Sequence, residues 1–164
     1  MVDDLNRALA RARAAVAAVE DPEIPALTID DLGVLRTIAL DADGVTVTIT
    51  PTYSGCPAMA VIAWEIEAAL SRAGFPRSRV VQVLAPAWTT DWLSEAGRRK
   101  LLAYGIAPPA GSAGRRALFG EEHPDCPRCG SASTERISAF GSTACKALHR
   151  CLTCKEPFDA FKCH

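Results

Sequence analysis

The sequence predicts an α/β (α+β) chain: a small mixed sheet with flanking helices, followed by a C-terminal zinc β-ribbon. Three observations carry that expectation. Helix-like and strand-like hydrophobic periods alternate along residues 1–107. Six of the seven cysteines crowd into residues 108–164, leaving only Cys56 upstream. Between the two regions, Pro108-Pro109-Ala110-Gly111-Ser112-Ala113-Gly114 has the composition of a linker. The expected organisation is an α/β domain over residues 1–107, a linker over 108–119 and a four-cysteine ribbon over 120–164.

The elements follow in order. Asp3 or Asp4 can cap a first helix in which Leu5, Leu9, Ala12, Val16 and Val19 recur at near-helical spacing, with Arg7 and Arg11 pointing away. Asp21-Pro22-Glu23-Ile24-Pro25 stops it, since proline disfavours helix at the residue before it. Leu32–Leu40 and Val45–Thr50 flank Asp41-Ala42-Asp43-Gly44, which reads as a β-hairpin. A loop from Pro51 to Cys56 then feeds a helix whose first residue is Pro57 and whose apolar stripe is Ala58, Val61, Ile62, Ile66, Ala69 and Leu70. Gly74 ends it and Pro76 prevents resumption. Val80–Ala85 makes a third strand, and Asp91 caps a last helix running to Tyr104.

Composition narrows the function. Hydrophobic residues form 49% and charged residues 23%, enough to bury a core and too apolar for a disordered tail. Eighteen Lys plus Arg against nineteen Asp plus Glu give a net charge of −1, which offers no global attraction to nucleic acid or an anionic membrane. The split is −3 for residues 1–107 and +2 for the remainder. Apolar runs such as Ala58–Trp64 fall far short of the roughly 18 residues that cross a bilayer. An acidic start at Asp3 and Asp4 is unlike a secretory n-region, so the expected location is cytoplasmic.

Cys126-Pro127-Arg128-Cys129 and Cys151-Leu152-Thr153-Cys154 form two CxxC knuckles separated by 21 residues. Four thiolates suit a tetrahedral zinc, and a closed four-cysteine site is structural rather than catalytic. A disulfide or a four-sulfur iron site are the alternatives. Strands are expected at Glu135–Ser138 and Pro157–Phe161. Cys145, Cys163 and His164 remain over. They are either ordinary ribbon residues or, with Cys56, a second, labile metal or iron–sulfur site.

Cys56 falls at the expected N-cap of the Pro57 helix, where unpaired amides and the helix dipole favour a thiolate. It reads as a reactive thiol or metal ligand, or else as a small buried hydrophobe. No histidine lies in residues 1–107, so a Cys–His hydrolase pair is absent there. Asp21 and Glu23 are a suggestive acidic pair, or simply solvated carboxylates after a helix. Trp88 and Trp92 around Asp91 read as a partner surface or as core packing. Arg98-Arg99-Lys100 and Arg115-Arg116 read as solvated faces.

Asp21-Pro22-Glu23, Asp31-Leu32-Gly33 and Gly55-Cys56-Pro57 resemble the iron–sulfur cluster assembly (metal–sulfur cluster biosynthesis) domain family over roughly residues 5–105. Trp88–Trp92, Tyr104–Pro109, Phe140–Leu148 and Glu156–His164 make nearly the whole chain similar to the PaaD (PaaJ) family, subunits of the bacterial phenylacetyl-CoA epoxidase system. The resemblance implies that Cys56 is the family's working cysteine, with Asp21 and Glu23 as its supporting loop. It also implies a service to aerobic phenylacetate catabolism, with oxygenase or reductase subunits as partners. The epoxidase's own chemistry needs a di-iron subunit and a flavin iron–sulfur reductase. This sequence has neither an inward-facing Glu-x-x-His pair nor a Gly-rich dinucleotide loop. The expectation is therefore a non-catalytic accessory subunit that matures or repairs an iron or iron–sulfur centre, with structural zinc in its ribbon. Its rival is an interaction subunit whose zinc only holds a docking surface. A nucleic-acid binder is the third reading, opposed by the near-neutral charge.

Overall fold

The computed structural model describes residues 2–109 and 123–162. The chain forms two compact units, Met1–Trp88 and Thr89–His164. In the first, helix α1 (Val2–Ala17) precedes strands β1 (Leu35–Asp41) and β2 (Gly44–Ile49), helix α2 (Ala58–Arg72) and strand β3 (Ser78–Gln82). The sheet order is β1-β2-β3, with β2 antiparallel to β1 and parallel to β3, which makes it the mixed sheet the sequence predicts. The parallel pair needs a crossover, and α2 supplies it. Along β2 the pleat alternates, so Val45, Val47 and Ile49 are buried while Thr46 and Thr48 are partly exposed. They meet Ala12 and Val16 of α1, Ile62, Ile66 and Leu70 of α2, and Ile24, Leu27 and Ile29 from the loop in the buried core.

The hairpin turn is fixed by Asp41, whose carboxylate accepts the backbone N–H groups of Asp43 at 2.8 Å and Gly44 at 3.2 Å. Gly44 adopts φ +130°, and a Cβ there would stand 2.2 Å from the carbonyl oxygen of Arg77, so no other residue fits.

The second unit holds helix α3 (Glu95–Ala103) and the antiparallel sheet β4 (Thr134–Ser138), β5 (Lys146–Cys151) and β6 (Pro157–Phe161), in that order. β5 is central, between the two strands the sequence predicts. Ala107, Cys126, Cys151, Phe158 and Ala160 form its buried cluster. Ala107 bridges to Ala160: its N–H donates to Asp159 O at 2.9 Å and its carbonyl accepts from Phe161 N at 2.9 Å.

Several expectations are corrected. The sequence puts α3 in the first domain, whereas contacts put everything from Thr89 in the second unit; most of the expected linker lies outside the described residues. Ser94, not Asp91, caps α3, its hydroxyl accepting from Gly97 N at 2.9 Å, and Asp91 sits in a separate 3-10 turn over Thr90–Trp92. β3 starts at Ser78 and ends at Gln82, earlier than Val80–Ala85, because its register with β2 runs from Val45↔Ser78 to Ile49↔Gln82. Leu5 and Val61 are exposed rather than core, and Met59 takes a buried place on α2 instead.

Candidate functional site

Two clusters carry chemistry. The first is built on the loop before α2. Cys56 lies one residue ahead of the position expected for a cap: Pro57, with φ −68° and ψ −21°, is the N-cap and the helix starts at Ala58. The loop closes on itself through Cys56 N–H donating to Tyr53 O at 3.3 Å, and Met59 N–H donating to Cys56 O at 3.3 Å. That turn holds the half-buried Cys56 sulfur close to the Ala58 N–H and the Tyr53 side chain, both of which act to lower its pKa.

Asp21 and Glu23 come to the same place from the loop after α1. Asp21 is buried, not a solvated helix end, and its Oδ1 accepts from the N–H groups of Glu23 at 2.8 Å and Ile24 at 2.9 Å. This turn directs two negative side chains into electrostatic reach of Cys56. Burial raises the thiol pKa above its ordinary value of 9.0. Each of the two donors pulls it down less than burial pushes it up, and Glu23 and then Asp21 add to the rise. The expected low-pKa thiolate is thus corrected: Cys56 rests protonated. Helix amides act on it, but desolvation and the carboxylates win.

Tyr53 is the site residue that sequence reasoning misses. A signal for it exists, since a side chain three residues ahead of a Cys-Pro helix start sits across a single turn from the thiol.

The second cluster is the four-cysteine group. The Sγ atoms of Cys126, Cys129, Cys151 and Cys154 all lie within 4.8 Å of one another and could hold a metal ion. Cys126 and Cys154 are 3.8 Å apart, and Cys129 and Cys151 are 3.6 Å apart. A tetrahedron with metal–sulfur bonds of about 2.3 Å has edges of about 3.8 Å, so the donors fit zinc, while disulfide sulfurs would approach to about 2.05 Å. In the metal-free chain the Cys154 N–H, donating to Cys151 Sγ at 3.4 Å, brings the Cys151 thiol down to about 6. Cys154 receives the Glu156 N–H, which lowers it, but burial and the crowding thiols push it up to about 12. Cys151 is thus ready as thiolate, and Cys154 sheds its proton when a cation arrives.

Cys145 is buried elsewhere, on the turn into β5, with the Thr143 hydroxyl 3.0 Å from its sulfur; it is not in the four-sulfur group. Cys163 and His164, expected beside it, lie outside the described residues. Trp88 is a core residue, its indole N–H donating to Leu32 O at 2.8 Å. The most exposed tryptophan is Trp64 on α2, 64% exposed. Among the described residues no helix is long and apolar enough to cross a membrane.

Comparison with known proteins places both clusters. Residues 110–162 match the PaaD zinc beta ribbon domain, and residues 9–85 match the family described as iron-sulfur cluster assembly protein. The chain is 50% identical over 150 residues, 92% of its length and 90% of the other's, to an Escherichia coli K12 protein named as a subunit of 1,2-phenylacetyl-CoA epoxidase. This chain belongs to the PaaD family. A second relative, the Porphyromonas gingivalis W83 "Fe-S protein maturation auxiliary factor", is 35% identical over 85 residues, covering 51% of this chain and 80% of that protein. The crystal structure of a DUF59 domain from Bacillus anthracis superposes with a TM-score of 0.54 at 26% identity, over 65% of this chain and 99% of that one. The α+β fold and the ribbon expected from the sequence are those of the PaaD family. The Cys56 loop lies within the assembly-type match and the four cysteines within the ribbon match.

Proposed function

We propose that this chain is an accessory subunit of a phenylacetyl-CoA epoxidase system that helps to mature or repair an iron or iron–sulfur centre, with Cys56 as the transient ligand of that cargo. The observation that carries the reading is a half-buried thiol on which Tyr53 and, from a separate loop, Glu23 and Asp21 all act electrostatically. The carboxylates disfavour a bare thiolate and favour an approaching cation, so the thiol yields its proton only as the metal arrives. Such a ligand stays quiet when empty. A soft sulfur binds iron or a cluster well, and one thiolate holds it less firmly than a closed four-sulfur site would.

The ribbon's part is to hold a structural zinc through Cys126, Cys129, Cys151 and Cys154 and to serve as a rigid docking module for oxygenase or reductase subunits. It does no redox chemistry in this reading, and the chain is not itself a catalyst.

Cys56→Ser tests the reading. Serine nearly preserves size, so the variant should fold and retain one zinc per chain. It should bind no iron or sulfide in anaerobic analysis and should fail to restore phenylacetate-dependent growth to a strain lacking this protein. Normal growth at matched protein levels would remove Cys56 from the mechanism and favour the docking-only role.

A further inference from the structure

A cleft of about 360 Å³ opens at the hairpin end of the first unit's sheet, lined by Asp43, Gly44, Thr46, Arg77, Ser78 and Arg79 among others. Arg77 directly precedes β3 and Arg79 lies two residues on, so the pleat puts both on one face. Their Cα atoms are then about 7 Å apart, close enough for both guanidinium groups to converge on one phosphate or a diphosphate. The wall is pinned: Val45 N–H donates to Arg77 O at 3.0 Å, and a Cβ on Gly44 would stand only 2.2 Å from that same oxygen.

The partners of these two arginines are what set them apart. Arg77 Nη2 donates to Ala42 O at 3.1 Å, and Arg79 Nε donates to Thr46 Oγ1 at 3.0 Å. Both anchors are neutral. Arg7, Arg13 and Arg150, by contrast, face the carboxylates of Asp4, Asp30 and Glu135. Among the described residues neither Arg77 nor Arg79 has an ion-pair partner. A neutral anchor holds a guanidinium without neutralising its charge, and a guanidinium keeps further N–H donors for bidentate recognition of phosphate.

Asp43, also on the lining, would repel a bare anion but accept a hydroxyl or amine. We infer that the cleft binds an organic phosphate, its oxyanion held by Arg77 and Arg79, and a hydroxyl or amine of its organic part held by Asp43. This cleft shares no lining residue with the Cys56 loop or the four cysteines, and its proposal would survive failure of the function proposed above.

Amide-shift titration of the full ¹⁵N-labelled chain tests it, with coenzyme A, inorganic pyrophosphate and sodium chloride at matched ionic strength. Coenzyme A serves as the probe because ester phosphate, diphosphate, hydroxyl and amine occur in one small molecule. The expected result is saturable shifts at Gly44–Thr46 and Ser78–Arg79, with pyrophosphate binding more weakly. Arg79→Gln should weaken coenzyme A binding at least about tenfold, the loss of a charge-assisted contact. Asp43→Asn should narrow the gap between the two probes. Unsaturable shifts, equal shifts from sodium chloride, undiminished binding by Arg79→Gln, or pyrophosphate binding as tightly as coenzyme A (an adventitious ion only) would each overturn the proposal. Arg79 is exposed, so its variant should keep the native spectrum elsewhere.

Discussion

Removing the metal from the ribbon should melt β4–β6 and spare the first unit. The perturbation is Cys129→Ser, or chelation under reducing conditions. Sulfur spacings of 3.8 and 3.6 Å match the roughly 3.8 Å edge of a zinc–thiolate tetrahedron, so the ion enters with little rearrangement and most of its affinity appears as folding free energy. Structural zinc of this kind contributes about 10–16 kcal/mol at neutral pH, comparable to the whole stability of an ordinary domain, about 5–15 kcal/mol. The apolar cluster cannot replace it. Of Ala107, Cys126, Cys151, Phe158 and Ala160, two belong to the four-cysteine group that could hold the metal and two are alanines. Amide hydrogen exchange reads the outcome strand by strand: protection should vanish across Thr134–Ser138, Lys146–Cys151 and Pro157–Phe161 and persist across Val45–Ile49. A chelated, reduced chain with β5 still protected would refute the argument that metal rather than burial holds the sheet.

Other outcomes follow from the same structure. The Cys56 thiol should alkylate slowly at neutral pH, with a midpoint above that of a free thiol, and Glu23→Gln should move the midpoint down. Because the folded pKa is the raised one, the neutral thiol favours the fold below the ordinary thiol pKa. That contribution is lost as pH rises through the folded value, so the wild type should lose stability to alkali more steeply than Cys56→Ser. Trp88→Phe should cost about 1–3 kcal/mol in chemical denaturation by stranding the buried Leu32 carbonyl; an unchanged midpoint would mean that water replaces the indole. Gly141→Ala should lower the melting temperature of the second unit. Its Cβ would stand 2.3 Å from Asp159 Oδ1 and displace the carboxylate that faces the buried Lys146 ammonium at 4.0 Å.

What the sequence discloses is local. Asp41 to Gly44 betrays a hairpin because the turn's hydrogen bonds lie within four residues, and two CxxC knuckles announce a metal centre because each knuckle presents its sulfurs by itself. What it withholds depends on distant partners. The helix amides near Cys56 can be read from Gly55-Cys56-Pro57, but the burial and the carboxylates that outweigh them come from a loop on the far side of the hairpin. β5 escapes notice because Lys146, His149 and Arg150 interrupt any apolar period, although Lys146 and His149 are buried. Val61 fits the apolar stripe by its spacing, yet a helix on one side of a small sheet has an outer face as well, and Val61 shares that face with the exposed Trp64.

The short bridge between Ala107 and Ala160 bears on how such a chain can be cut and inherited. The ribbon match begins at residue 110, which would make that a natural place to excise or transplant the module. The geometry argues otherwise. Cut there, β6 loses the pair of hydrogen bonds that shields its outer edge, and Ala107 leaves the buried cluster. A bared strand edge is a template for pairing with other chains. The heritable cassette is therefore the stretch from Thr89 onward, and a ribbon grafted without it should precipitate.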